Sequence, residues 1–392
     1  MSKKIKGLDI ATEITASTVF VGAIDETSTG TKQYPFGLMQ DFIYDTSVID
    51  RVFQKSIPIA LVSNSQIIKQ IILENDATTQ TLASTSIVGV TDKIRLDTNA
   101  SLTSLSLPNI TYLGNNPGSD FVLYLYYNNN LVSVDLTSIT TIGAPDSLDP
   151  FEWMGMYIGY NAKLTNITFP NLTLVKARIT IEGNPMLNLD LSKLTQIEQL
   201  SLQAGNTLMT TINLTALTRL QYFSCQNNQD LLSLIFGVNF NCEYDFVLDN
   251  CGNLVGVLDL TKLRNAATIK LMNLPKVTSI NLSNWNRVFY PNYVGQLQIM
   301  NNTLLTNLIL PPSITRGTVP NYIQPFMFSN SPLNQASVDG ILAAIDAGGE
   351  TVTPGINSSQ IFITNGPSAP SAAGLVSKTN LETKGWTVFV TA

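Results

Sequence analysis

From Ile94 to about Leu342 the chain repeats one alternation of apolar and polar positions: a short apolar strand, an asparagine, then a second apolar strand. The frame L-x-L-x-x-N-x-x-L-x-x-L-x-L fits several segments as they stand. The first three are Ile94-Leu96-Asn99-Leu102-Leu105-Leu107, Leu123-Leu125-Asn128-Leu131-Val134-Leu136 and Met156-Ile158-Asn161-Leu164-Ile167-Phe169. Phe223-Cys225-Asn228-Leu231-Leu234-Phe236 and Leu297-Ile299-Asn302-Leu305-Leu308-Leu310 repeat the pattern. First strands therefore start at Ile94, Leu123, Met156, Ile179, Leu200, Phe223, Phe246, Ile269, Leu297 and Phe326. A repeat of roughly 20–30 residues marks a solenoid, in which each coil buries its apolar side only by stacking on its neighbours.

The physics of one coil follows from this spacing. Apolar residues at alternate positions of a strand point to one side and form inward rows. The asparagine falls where the strand ends and the backbone turns, leaving peptide groups unpaired inside the coil. Its amide donates and accepts, so one asparagine per coil can satisfy them along a ladder. Leu274 takes the slot after Asn273, Cys251 takes it after Asn250, and Asn206 is displaced by one.

Both ends leave the frame. Residues 1–90 are expected to form a small N-terminal attachment and oligomerisation module. Ser17–Ala23 reads as a strand, 27–32 as a hairpin-like turn, and Asp45-Thr46-Ser47 as the cap of a short helix carrying Val48, Ile49, Val52 and Phe53. Ile67, Ile68, Ile71 and Ile72 fit a short helix or a buried strand equally well. The solenoid is expected over 91–336 and an α/β cap over 337–392. In the cap, Ser337–Asp346 reads as a helix ended by Gly348-Gly349, and Ile361–Ile363 as a strand. Ala372–Thr383 reads as a second helix and 385–390 as a closing strand. The expected class is mainly β.

Composition sharpens the picture by exclusion. Charged residues are 13% and hydrophobic ones 44% of the 392 residues, so Asn, Thr and Ser carry solubility, as suits stacked β structure. The net charge of −6, with scattered Lys and Arg, offers no electrostatic footprint for nucleic acid or an anionic membrane. The chain has no histidine, which removes Ser-His-Asp catalysis, imidazole bases and His-ligated metals. Cys225, Cys242 and Cys251 fit neither a disulfide framework nor a zinc cluster and read as core filling. The opening MSKKIKGLDIATEITAS lacks the apolar region of a secretory signal, and no run approaches the ~20 apolar residues of a membrane span. No cofactor and no enzyme activity are expected.

At these residues the sequence resembles a leucine-rich repeat. Ile197-x-x-Leu200-x-Leu202-x-x-Gly205-Asn206-x-Leu208 and Val294-x-x-Leu297-x-Ile299-x-x-Asn302-x-Leu304 come close to that family's L-x-x-L-x-L-x-x-N-x-L core. LTSLSLPNITYLG (102–114) and KLTNITFPNLTLV (163–175) are similar to the irregular subgroup found in surface proteins of Bacteroides-type bacteria and their phages. The opening GLDIATEITASTVFVGAIDETSTGTKQYPFGLM resembles the N-terminal segments of virion fibre and appendage proteins of crAss-like and related tailed phages. The tail LETKGWTVFV is similar to C-terminal caps of such repeat proteins. The resemblance implies a surface for contacts rather than a pocket for chemistry.

It further implies a virion location: a head or tail fibre subunit assembled in the host cytoplasm. Such a subunit would be a homotrimer, attached to other virion proteins through residues 1–45 and facing a host glycan or protein. A bacterial cell-surface adhesion protein is the alternative, one that would be expected to carry an export signal. A carbohydrate hydrolase on a right-handed β-helix ranks third, and no carboxylate pair supports it.

Two rows of residues bear on contacts. Tyr124, Tyr126 and Tyr157 occupy outward positions on first strands, and aromatics there can stack on sugars, anchor a protein partner, or pack against the N-terminal module or a neighbouring subunit. These three are the candidate binding residues. Asp135, Asp190 and Asp259 recur outward on second strands, in register with Ser106, Thr168, Asn213 and Asn281. A calcium row or a solvated polar face would both explain them, and three spaced carboxylates fall short of a calcium cage.

Overall fold

The computed structural model describes residues 49–53, 66–114, 121–143, 155–186, 188–203, 205, 208–287, 296–315, 325–352 and 360–391. The chain divides into two units, Met1–Ile49 and Asp50–Ala392, and the coils belong to the second. Of the described residues 44% are in strands and 9% in helices, so the fold is mainly β. The strand and turn expected at 17–32, the apolar segment up to 43 and the displaced Asn206 lie outside the described residues.

The first strands stack in parallel. From Ile94–Asp97 to Phe326–Ser329 each pairs with the next, and the starts expected at Ile94, Leu123, Met156, Ile179, Leu200, Phe223, Phe246, Ile269, Leu297 and Phe326 stand opposite one another in register. Alternation explains this register, since a slip by one residue would turn every apolar side chain outward. Second strands form their own parallel ladders, as in Thr81–Ala83, Ser104–Ser106, Ser133–Asp135 and Asn166–Thr168. A third row, not anticipated from the frame, runs through Ile87–Val90, Tyr112–Leu113, Thr141–Ile142 and Leu174–Val175. The described coils of the second unit thus form a solenoid with strands on three sides of its core.

One local expectation changes and one open alternative is decided. Ile49–Phe53, expected within a short helix, is a strand. β-branched Ile49 and Val52 favour the extended form, and a helix this short does not repay its nucleation cost. The ambiguous isoleucines lie in the strand Gln66–Glu74, which pairs with Ile94–Asp97 through Ile71 opposite Ile94 and Leu73 opposite Leu96. The stack of coils therefore begins N-terminal to residue 90.

Asn99, Asn128, Asn161, Asn184, Asn228 and Asn302 are fully buried. Asn128 Oδ1 accepts the backbone N–H of Asn99 at 3.0 Å, and its Nδ2 donates to the Leu96 carbonyl at 3.0 Å. Asn161 serves Asn128 N–H and the Leu125 carbonyl in the same way, and Asn184 serves Asn161 N–H and the Ile158 carbonyl. Each side chain thus satisfies both ends of the turn in the preceding coil, where orphaned peptide groups would cost about 1–3 kcal/mol each.

Asp76 heads this ladder. Its backbone N–H donates to Asn99 Oδ1 at 3.0 Å, while its carboxylate takes hydrogen bonds from Thr78 and Thr79. Burial pushes that carboxyl up, but the threonine hydrogen bonds outweigh it and hold it at about 2. Further along, Leu274 N–H still donates to Asn302 Oδ1 at 2.9 Å, although Leu274 returns nothing. Asn302 N–H then ends on Ser331 Oγ at 3.2 Å. Cys251 brings only a thiol, 3.7 Å from Cys225 Sγ and 3.5 Å from the Cys225 carbonyl, and all three cysteines are buried.

The C-terminal helix Gln335–Ala347 is capped by Asn334, whose side chain accepts from Ser337 N–H. Ser337 Oγ accepts Leu308 N–H at 2.8 Å, closing an edge that the strand Asn307–Ile309 would otherwise leave open. The helix Ala372–Thr383 packs on Gln335–Ala347. The first-strand ladder continues meanwhile through Gln360–Thr364 to Thr387–Val390.

Candidate ligand-contact face

Outward positions of the first-strand sheet are set by the same alternation that buries the leucines. Arg95, Tyr124, Tyr157 and Thr180 stand opposite one another, as do Asp97, Tyr126, Gly159 and Glu182. All three candidate residues consequently meet. Tyr124 and Tyr157 stack with centroids 5.3 Å apart and planes at 16°, and Tyr126 lies 5.6 Å from Tyr124 and 5.7 Å from Tyr157. Phe121 adds a ring 5.2 Å from Tyr157.

Two further tyrosines complete the cluster from the turn. Tyr127 and Tyr160 each immediately precede a ladder asparagine, and they stack on one another at 5.3 Å and 19°. Tyr127 approaches Tyr126 to 4.3 Å edge-on, and Tyr160 lies 5.9 Å from Tyr126. Both have positive φ, 52° and 54°, a left-handed conformation unfavourable for a bulky side chain. Gly159 and Gly183 make room for the rings. A Cβ at Gly159 would lie 2.8 Å from the Tyr157 ring, and one at Gly183 would lie 2.7 Å from the Tyr160 ring.

Charged groups pin the margins. The Arg95 guanidinium lies 4.7 Å from the Tyr124 ring centroid, forms an ion pair with Glu74, and reaches Asp97 Oδ2 at 3.1 Å. On the other side Tyr157 OH donates to Glu182 Oε1. Burial, the hydrogen bond and the charge of Glu182 all push the Tyr157 phenol far up. Desolvation and the neighbouring tyrosines hold Tyr126 at about 12. Tyr126 and Tyr157 are therefore neutral phenols at physiological pH. The arrangement offers stacking surface, hydroxyls and carboxylate acceptors.

The acidic row on the second strands has a structural task. Asp135 Oδ1 accepts Thr137 N–H at 3.1 Å, Asp190 Oδ1 accepts Ser192 N–H at 2.9 Å, and Asp259 Oδ1 accepts Thr261 N–H at 2.9 Å. Asn213 and Asn281 hold Thr215 and Ser283 identically. Each is an Asx turn that ends its strand.

Sequence reasoning missed Tyr127, Tyr160, Phe121, Arg95 and Glu182 as members of the cluster. A signal for two of them was present: the residue before the slot is asparagine at Asn227, Asn250, Asn273 and Asn301, so tyrosine at that position stands out. No protein-family model matches the chain, and no curated protein matches it.

Proposed function

We propose that this chain is a non-enzymatic interaction protein, a leucine-rich-repeat-type subunit of a phage virion fibre or appendage. Its N-terminal segment attaches to the particle, and the solenoid presents a contact face. The observation that carries the reading is the tyrosine cluster: aromatic side chains gathered on the outside of a solenoid whose inward residues are already committed to packing and to the asparagine ladder. Tyr and Arg supply most binding energy at recognition surfaces, and the cluster combines both with a rigid sheet.

The resemblance of residues 7–39 to virion fibre segments supplies the location, and the apolar Val19, Phe20, Val21, Phe36, Phe42 and Ile43 supply the assembly. A segment that short needs a partner to bury such residues. The resemblance to fibre subunits implies a homotrimer for the full chain, and a chain lacking residues 1–45 is a monomer. Mass spectrometry of purified virions is the test of location. Recovery of this chain at structural-protein stoichiometry is expected, whereas its absence from particles together with presence on bacterial surfaces would make it the cell-surface adhesion protein instead. Light scattering of both chains tests the assembly, and a full-length monomer at micromolar concentration would remove self-association.

A further inference from the structure

We infer that the tyrosine cluster, with its flanking carboxylates, is a binding site for a short, neutral oligosaccharide chain laid across the strands. The inference rests on reading the chain as an interaction protein and names what its contact face takes.

The first argument is strain. A left-handed backbone is unfavourable for a bulky side chain, so Tyr127 and Tyr160 both hold strain. Their mutual stacking returns only part of that cost. Tyr127 is nonetheless 43% exposed, so much of its ring surface is left open to solvent. Strain held at a stacked pair of half-buried Tyr160 and exposed Tyr127 points to a use outside the fold.

The second argument is charge. On the outward rows of these strands Glu74, Asp97 and Glu182 outnumber Arg95 and Arg178, and Arg95 is already committed to Glu74 and Asp97. A phosphate, sulfate or carboxylate ligand would meet net negative charge. Sugar hydroxyls, by contrast, donate to carboxylates and to phenol oxygens, while the C–H faces of a pyranose pack on aromatic rings.

The third argument is size. At a strand spacing of about 4.8 Å, the strands from Ile94–Asp97 to Arg178–Glu182 span about 14 Å. A stable protein interface takes about 800 Å² per partner, much more than this strip supplies. A short oligosaccharide matches it. Thr180 and Ser201 continue the outer row with hydroxyls, so the ligand can extend along the sheet without meeting an apolar wall.

Calorimetry of the full chain with a panel of neutral hexasaccharides (β-glucan, xylan, mannan, chitin and α-glucan types), alongside sulfated and sialylated oligosaccharides, tests the inference. At least one neutral probe is expected to bind at or below millimolar concentration. Tyr124→Ala and Tyr157→Ala should each weaken it about tenfold or more. Tyr222→Ala, in a stacked pair with Tyr244 outside the cluster, should bind as the parent does. Tyr127→Asn suits the left-handed position, so it keeps the fold and should also weaken binding. Silence with every neutral probe, binding of the anionic probes only, or neutral binding untouched by the tyrosine changes would each overturn the proposal. A chain found in virions but indifferent to sugars sinks the oligosaccharide and spares the virion reading; a sugar-binding chain absent from virions does the reverse.

Discussion

Two stretches of the solenoid solve the same turn in opposite ways. Between Asp76 and Asn184 the inner slot is polar throughout, occupied by Asp76, Asn99, Asn128, Asn161 and Asn184, while the left-handed corner before it holds Asn75, Thr98, Tyr127, Tyr160 and Gly183. Between Asn228 and Asn302 the inner slot lapses to Cys251 and Leu274, while the corner is asparagine every time, at Asn227, Asn250, Asn273 and Asn301. The second stretch builds an outer ladder in compensation: Asn250 Nδ2 donates to Asn227 Oδ1 at 2.8 Å, and Asn273 Nδ2 donates to Asp249 Oδ1 at 2.7 Å. Asn330 Nδ2 continues it onto Asn301 Oδ1 at 2.8 Å. Outer amides thus tie one corner to the next, side chain to side chain, in the stretch where the inner slot lapses. Where the inner ladder is complete, the corner is released to carry side chains that serve contacts.

The contrast predicts unequal costs for one kind of truncation. Asn161→Ala strips Asn128 N–H and the Leu125 carbonyl of partners deep in the first stretch. A loss of about 1–3 kcal/mol is expected from orphaned buried groups. Cys251→Ala removes a weak thiol donor and little volume in a coil with an outer ladder, and should cost about 1 kcal/mol or less. Denaturant midpoints at unchanged m-value measure both. Equal losses would show that the inner asparagine contributes no more than the thiol that replaces it.

Asp76 sharpens the same comparison, because its place at the head of the inner ladder is held by charge as well as amides. Its folded value, about 2, lies below the ordinary 3.8. A depressed carboxyl contributes stability that is fully present above the unfolded value and is lost as pH falls through the folded one. The window therefore runs from about pH 4 down to about pH 2, and the contribution is about 2 kcal/mol. In Asp76→Asn the ladder contact through the backbone N–H survives, so acid unfolding should lose that part of its slope. A slope unchanged from the parent chain would place the acid transition on other carboxylates.

Much of this was legible before any coordinates. Apolar residues two apart, followed by asparagine three further on, fixed the first-strand register from Ile94 to Phe326, because only one register keeps those residues inside. The third row was not legible: its strands are as short as Tyr112–Leu113 and too brief to alternate. The coil at Gln66–Glu74 was hidden because aspartate, rather than asparagine, fills its slot and four isoleucines suit either period. Of the contact face, Tyr124, Tyr126 and Tyr157 followed from strand parity. Tyr127 and Tyr160 did not, because a left-handed residue leaves the strand and parity no longer says where its side chain goes. The Asx turns were written plainly as Asp or Asn, Leu, then Ser or Thr, at 135–137, 190–192, 213–215, 259–261 and 281–283.

The smallest expected effect is also the most direct probe of the corner. Asparagine tolerates the left-handed region better than tyrosine, since its short amide bonds locally and its Cβ substituents crowd the backbone less. Tyr127→Asn should therefore leave stability unchanged or raise it by up to about 1 kcal/mol, the relief of strain being partly offset by loss of the Tyr160 stack. Asn250→Tyr is the mirror experiment. It forces a bulky residue to φ near 55° and removes the amide that bonds Asn227, so it should destabilise by about 1–2 kcal/mol. Opposite signs for the two exchanges are what a strained corner requires. If Tyr127→Asn instead cost more than Asn250→Tyr, the tyrosine corner would be a stabilising part of the fold, and the argument that it is held for an outside ligand would lose its physical basis.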